Sequence, residues 1–204
     1  MFETIIFDVD GTLLDTERAQ LKALQQVLAQ HDMDYSLDDL RFIFGIPGKE
    51  ALKRLNVKDI DYVHKQWEEA VDAYLDEVEL FYAIEDVLKT LRAQGKRLGI
   101  VTSKTRAQLQ HEFEPFGLNH YFEAIVTADD TENPKPDPAP LLLCIEKLAA
   151  SKEHVLYIGD SIYDYGCARD ASVTFALALW GAHTTEGIEA QYELSEALDI
   201  LKII

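Results

Sequence analysis

Two cysteines in 204 residues, Cys144 and Cys167, are too few and too far apart for a disulfide framework, and they have neither metal-ligand nor redox-pair spacing. Both read as small packed apolar residues in a reducing compartment. Long hydrophobic runs are also missing. The longest later one, Phe175 to Trp180 with Gly181-Ala182 behind it, falls far short of the roughly 20 residues needed to span a bilayer. Basic residues are scarce: 19 Lys and Arg stand against 37 Asp and Glu, and the net charge of −18 repels phosphate backbones and anionic membrane surfaces. Nucleic acid and membrane are therefore not expected partners, and the acidity reads as a solvated surface that aids solubility. The opening Met1-Phe2-Glu3-Thr4 lacks the basic start and cleavage site of a secretory leader, so a cytoplasmic location is the expectation. There is no internal repeat, coiled coil or low-complexity tract, and only one proline-rich passage, Asn133-Pro134-Lys135-Pro136-Asp137-Pro138.

What is present suits a globular enzyme-sized fold. With 48% apolar residues the chain can bury one sizeable core and still supply a smaller accessory unit. Thr4 to Val9 reads as a short buried strand that runs into the turn Asp8-Val9-Asp10-Gly11-Thr12. The texture then turns helical. Leu21, Leu24, Val27 and Leu28 repeat at helical spacing, as do Val63, Trp67, Ala70, Val71, Tyr74, Leu75 and Val78. No strand pattern interrupts residues 16 to 78. Ser36-Leu37-Asp38-Asp39 marks a helix start, and Gly45-Ile46-Pro47-Gly48 an exposed loop.

Beyond this insert, helix and strand alternate. Ile84, Val87, Leu88 and Leu91 predict a helix ended by Gly95, followed by a strand from Arg97 to Thr102. Thr105 to Phe116 reads as a helix, Ala124 to Thr127 as a strand and Pro138 to Ala149 as a helix. Val155 to Gly159, Ser161 to Ala171 and Val173 to Leu179 add strand, helix and strand, with a last helix near Ser195 to Ile203. Such alternation predicts an α/β fold, a parallel sheet with helices on both faces. The expected division is a catalytic core of 1–15 and 81–204 with a small all-helical domain of 16–80.

Four polar clusters follow predicted strands directly, so a parallel sheet would gather them along one edge. They are Asp8-x-Asp10-Gly11-Thr12, Thr102-Ser103-Lys104, the region of Lys135, and Gly159-Asp160-Ser161-Ile162-Tyr163-Asp164. Carboxylates about 4 Å apart repel by on the order of 4 kcal/mol per pair at an effective dielectric near 20, so Asp8, Asp10, Asp160 and Asp164 require a cation among them. An oxygen-only donor set with room for phosphate and water favours Mg²⁺. Lys135 adds a positive charge for a phosphoryl group, and the Thr102 hydroxyl a donor. A carboxylate can attack phosphorus to form an acyl phosphate, while a second one protonates the leaving oxygen and then deprotonates water. Asp8 and Asp10 are spaced to divide those roles.

These motifs, in this order over nearly the whole chain, resemble the haloacid dehalogenase-like superfamily, in particular its phosphatases related to phosphoglycolate phosphatase and β-phosphoglucomutase. The resemblance implies a Rossmann-like sheet with a movable helical cap. It implies Asp8 as nucleophile and Asp10 as general acid and base. Asp8, the Asp10 carbonyl and Asp160 would ligate Mg²⁺ with Asp164 in support. Thr102 and Lys135 would hold the phosphoryl group, with Ser103 beside them in the substrate site. Lys49, in the cap loop Gly45 to Lys49, and Arg18 are further expected substrate contacts.

Departures from relatives are informative. Asp10 would be absent from the dehalogenases of the superfamily, which need no proton donor there. Gln20 stands where the mutase branch carries histidine and Thr12 where it carries valine, which favours a phosphatase. Phe81-Tyr82-Ala83-Ile84 replaces a frequent Tyr-Pro-Gly-Val hinge. The expected activity is hydrolysis of a small phosphorylated metabolite by a monomer or weak dimer; a phosphosugar mutase and a silent phosphate-binding protein are the alternatives. Each residue also has a plainer reading. Lys135 fits a surface loop, Thr102 a strand-end helix cap and Asp160 a cap of the next helix. His31, His111 and His183 read as surface or helix-end residues, and Trp67 with Tyr74 as core of the insert.

Overall fold

Ile5, Ile6 and Phe7 have no polar side to give to water, and the strand they form, β1 (Thr4–Phe7), is buried on both faces. In the computed structural model, which describes residues 1–44 and 48–204, five further strands join it. They are β2 (Arg97–Val101), β3 (Ala124–Val126), β4 (Val155–Gly159), β5 (Thr174–Ala178) and β6 (Tyr192–Leu194). The sheet order is β3-β2-β1-β4-β5-β6, and every neighbouring pair is parallel. After β1 the chain builds outward through β2 and β3, then returns to place β4 on the other side of β1. That reversal opens a crevice at the carboxyl ends of β1 and β4, where doubly wound sheets hold ligands.

Alternate residues serve alternate faces. Ile6, Val101, Val126, Tyr157 and Phe175 share one buried cluster with Leu141, Cys144 and Ile145 of the helix Ala139–Lys147 and Cys167, Ala168 and Ala171 of the helix Ile162–Ala171. Cys144 and Cys167 are free thiols in that core. Ile5, Phe7, Leu98 and Ile100 are equally buried on the opposite face, where the helix Ile84–Ala93 packs on β2. Among the described residues no helix is long and apolar enough to cross a membrane.

The chain divides into two compact units, one of Met1–Asp15 with Leu80–Ile204 and one of Thr16–Glu79. The second unit is helical, with Leu24, Leu28, Leu52, Val63 and Trp67 in its core and Tyr74 packed at the margin. Trp67 meets its polar requirement by donating Nε1–H to the Gln20 carbonyl at 3.1 Å. Ser36 and Asp39 form a capping box at the start of the helix Leu37–Leu40. The Gly45-Ile46-Pro47 stretch lies outside the described residues. Gly48 opens the helix Gly48–Arg54, which puts Lys49 on a helix rather than in the expected loop.

Several element boundaries differ from the sequence reading. The helix expected from Thr105 to Phe116 spans Arg106–Glu112, because Pro115 cannot continue the ladder and a 3₁₀ turn, Glu114–Phe116, replaces its end. The helical pattern through Val78 breaks after Ile60–Ala70 into a tighter 3₁₀ segment in which Tyr74 leaves helical geometry at φ −126°. Strand β6 had no signal: it is three residues long with an exposed glutamate at its centre, as an edge strand allows. The terminal helix shrinks to Ile200–Ile203 behind a 3₁₀ turn.

The Phe81-Tyr82-Ala83-Ile84 segment has a structural consequence. Ala83 sits at φ +63° before the helix Ile84–Ala93. A left-handed L-residue costs about 1–2 kcal/mol, and glycine at the same place returns part of that as unfolded-chain entropy. Ala83→Gly should therefore stabilise the protein by about 0.5–1 kcal/mol, read from the urea midpoint at unchanged slope. A lower midpoint would refute the strain.

Candidate active site

The first cluster begins where β1 ends. Asp8 N–H still donates to the Ile158 carbonyl of β4 at 2.9 Å, which fixes the residue at the crevice before the chain turns. The turn is closed by the Leu13 and Leu14 N–H groups on the Val9 carbonyl, 2.8 and 2.9 Å, and by Gly11 N–H on the Leu14 carbonyl at 2.9 Å. Gly11 has φ +74°, and a Cβ there would stand 2.4 Å from Asp160 Oδ2. From behind, a Cβ on Gly181 would lie 1.8 Å from the Gly11 carbonyl oxygen, while Trp180 Nε1–H donates to the Thr12 carbonyl at 3.0 Å. Bare glycine backbone is thus required on both sides of the loop if Asp8, Asp10 and Asp160 are to approach each other.

Lys135 joins the clusters. Its Nζ donates to Asp8 Oδ1 at 2.8 Å and to Asp164 Oδ1 at 2.7 Å, and stands 3.5 Å from both the Val101 carbonyl and the Tyr157 hydroxyl. Tyr157, in the middle of β4, donates its hydroxyl to Asp164 Oδ1 at 2.7 Å. Asp164 Oδ2 accepts from the Ser161 hydroxyl and from Ser161 N–H at 3.2 Å. Ser161, not Asp160, is the N-cap of the helix Ile162–Ala171, and Asp164 completes its capping box. Asp160 is left pointing at the site, with the Thr12 hydroxyl 3.4 Å from its Oδ1. Within the described residues, oxygens of Asp8, Asp160 and Asp164 fall within 4.8 Å of one another.

Three carboxylates share one ammonium here, and their proton affinities show it. Burial and the charge of Asp164 push the Asp8 carboxyl up to about 7 against the pull of Lys135. Burial, Asp164 and Asp8 together raise Asp160 well above the carboxylate range. Asp164 escapes: burial would raise it, but Lys135, Ser161 and Tyr157 hold it below its ordinary value. Lys135 is raised because its two carboxylates outweigh its own burial. With all three acids ionised the group is two positive charges short, which fits a divalent cation bound through hard oxygen donors.

A second buried ion pair lies beside the first. Lys104 Nζ is 3.0 Å from Asp10 Oδ2 and also bonds Glu112 Oε2. Thr102 Oγ1 accepts from Lys104 N–H at 3.1 Å, which leaves the Thr102 hydroxyl proton for another acceptor. The cap of the following helix is Thr105 rather than Thr102.

Asp8, Asp10, Thr102, Lys135, Asp160 and Asp164 therefore come from four separate stretches to the carboxyl edge of one sheet. Ser103 follows Thr102 and is exposed. Lys49 and Arg18 belong to the second unit and engage there in exposed ion pairs, with Asp61 and with Glu77, both at 2.6 Å. Sequence reasoning missed Tyr157 and Glu112 as site neighbours, and it placed Ser161 and Lys104 in the edge clusters without giving them a role. Lys104 did carry a signal, as the charged member of the second cluster. Tyr157 carried none, since its period matches the core residues around it.

Residues 5–178 match the family model described as haloacid dehalogenase-like hydrolase. The chain is 31% identical to the pyrophosphatase PpaX of Halalkalibacterium halodurans, over 98% of this chain and 96% of that protein. Among solved structures, a Lactobacillus plantarum protein classed as a phosphoglycolate phosphatase superposes with a TM-score of 0.92 at 30% identity, covering all of both chains. CbbY of Rhodobacter sphaeroides, solved with phosphate, shares the fold with a TM-score of 0.80 at 24% identity, over 98% of this chain and 96% of that one.

Proposed function

The chain belongs to the haloacid dehalogenase-like hydrolases, and from its carboxylate cluster we propose that it is a Mg²⁺-dependent phosphatase acting on a small phosphorylated metabolite through an aspartyl phosphate on Asp8. The observation that carries this reading is the Asp8 carboxylate held 2.8 Å from a buried lysine inside a group of three acids that lacks two positive charges. Asp8, the Asp10 carbonyl and Asp160 would hold Mg²⁺, and Asp164 would orient them through Lys135. The ion supplies charge neutralisation at the phosphoryl oxygens.

The residues divide the remaining work. One Asp8 oxygen attacks phosphorus, the bond from phosphorus to the leaving oxygen breaks, and Asp10 gives that oxygen its proton. Water then attacks the phosphorus of the acyl phosphate, Asp10 accepts the proton of water, and the bond to Asp8 breaks to release phosphate. Lys135 and the Thr102 hydroxyl stabilise the charge spread over the phosphoryl oxygens. Arg18, Lys49 and Ser103 remain proposed contacts to the leaving group, the first two after giving up their ion pairs.

Pyrophosphate is the first substrate to test, because the 31% relative is named for it, and phosphoglycolate the second. The expected result is phosphate release from at least one member of a panel of pyrophosphate, phosphoglycolate, sugar phosphates and nucleotides, dependent on Mg²⁺ and lost with chelator. A folded protein that binds but turns over none of them would leave the silent alternative standing, and an isomerised sugar phosphate without released phosphate would mark a mutase.

A further inference from the structure

The Lys104 ammonium has no task in the chemistry above, yet it is 6% exposed and faces two acids, Asp10 and Glu112. Burying an ammonium is costly, and only carboxylates at contact distance offset it. Because both partners are anions, Lys104 has no spare charge for an anionic substrate. Its backbone is pinned as well: its N–H donates to Thr102 Oγ1 at 3.1 Å, and its carbonyl accepts from Ala128 N–H at 2.9 Å. Glu112 ends a helix anchored by the Thr105 and Gln108 capping box, and its side chain is 5% exposed. The ammonium is thus fixed from three directions before it meets Asp10.

Asp10 is asymmetric as a result. Its Oδ2 is held by Lys104, while its Oδ1 is a buried atom without a hydrogen-bond partner among the described residues. Buried polar atoms are normally satisfied, and one left open beside a reactive group is kept for something that arrives. We infer that Lys104, backed by Glu112, is a positioning residue that clamps Asp10 through Oδ2 so that Oδ1 is presented to the leaving oxygen. The inference rests on the phosphatase reading and adds to it a second ion pair that orders the proton donor. A pair serving only to join the β2 loop to the helix Arg106–Glu112 would have no need of Asp10.

The test separates orientation of the proton donor from loss of fold. An alkoxide leaves only with a proton, whereas p-nitrophenolate leaves without one. Lys104→Met alone would strand the buried Glu112 charge, so the principal variant is Lys104→Met with Glu112→Gln. At saturating Mg²⁺ its single-turnover rate of glycerol release from glycerol phosphate should fall about 10²-fold, with KM for that ester and the burst rate of p-nitrophenolate release from p-nitrophenyl phosphate, which precedes water activation by Asp10, within about threefold of wild type. Asp10→Asn should show the same selectivity in that first step while slowing the later hydrolysis of the acyl phosphate on both esters, and adding the two other changes to it should cost nothing further in the first step. Should the double variant not fold, Glu112→Gln alone keeps an acceptor for Lys104 and should give the same selectivity at smaller size. Equal losses on both esters, an unchanged rate on glycerol phosphate, or losses that multiply with Asp10→Asn would overturn the clamp alone. Wild-type protein releasing phosphate from neither ester overturns the phosphatase reading and the clamp with it.

Discussion

Asp8→Asn is expected to abolish phosphate release and at the same time to make the metal-free protein harder to unfold at pH 8. The first half follows from the role proposed for the carboxylate: an amide is no nucleophile, and removing a covalent nucleophile costs on the order of 10⁴-fold or more in kcat. The second half follows from the cluster. The Asp8 carboxyl binds its proton up to about pH 7 in the folded protein but only to 3.8 as a free side chain. Between those values the folded state carries the extra proton, so stability falls as pH rises through the window. The shift sets a ceiling of about 4 kcal/mol on that loss, since each unit is worth about 1.4 kcal/mol. Asparagine keeps the shape and can still accept from Lys135, yet removes the charge. Urea unfolding with chelator at pH 5 and pH 8 should show wild type losing stability between the two relative to the variant, and Mg²⁺ should restore most of it. A variant that unfolds more easily than wild type at pH 8 would mean that Asp8 is net stabilised where it sits.

Lys135→Met has the opposite thermodynamic sign. The side chain is 4% exposed and meets Asp8 and Asp164 directly. Methionine fills similar space but leaves the acids without their shared cation, and breaking a buried pair by removing one partner costs about 3–5 kcal/mol. The loss should be greatest at pH 8 and smaller at pH 5, where the orphaned carboxyls can take up protons. Activity should fall by about 10²–10³-fold, the usual effect of removing one charge-stabilising donor. The decisive measurement is the difference in unfolding free energy between the two pH values. A variant with wild-type stability at pH 8 would show that the acids do not depend on Lys135.

The two substitutions together describe a site that is unstable for a reason. Asp8 is kept in its place by Lys135 and by the β1 to β4 ladder, while Asp164 and burial press against its charge. Strain of this kind is tolerated at functional positions because the surrounding sheet holds it.

Much of this was legible along the chain. Alternating helix and strand patterns after residue 80 gave a parallel sheet, because a strand covered on both faces must be apolar throughout, as Ile5-Ile6-Phe7 and Val155 to Ile158 are. The same patterns failed at β6, where an edge strand with Glu193 at its centre has no such requirement. They also overran Pro115 and Tyr74, where local geometry broke a sound helical period. The site acids could be named because each follows directly after a strand. Their neighbours could not. Tyr157 looks like core, and Glu112 looks like one more charge on a helix, until the fold sets them against Asp164 and Lys104.

By itself, then, the sequence determined which residue types are available for chemistry and that strands would deliver them to one edge, since periodicity and turn residues act within a few positions of each other. Only the tertiary structure decided which carboxylate meets which cation: that Lys135 goes to Asp8 and Asp164, and that Lys104 goes to Asp10. Those pairings depend on distances of 2.7 to 3.0 Å between atoms up to 127 positions apart in the chain, and burial then sets how strongly each charge is felt.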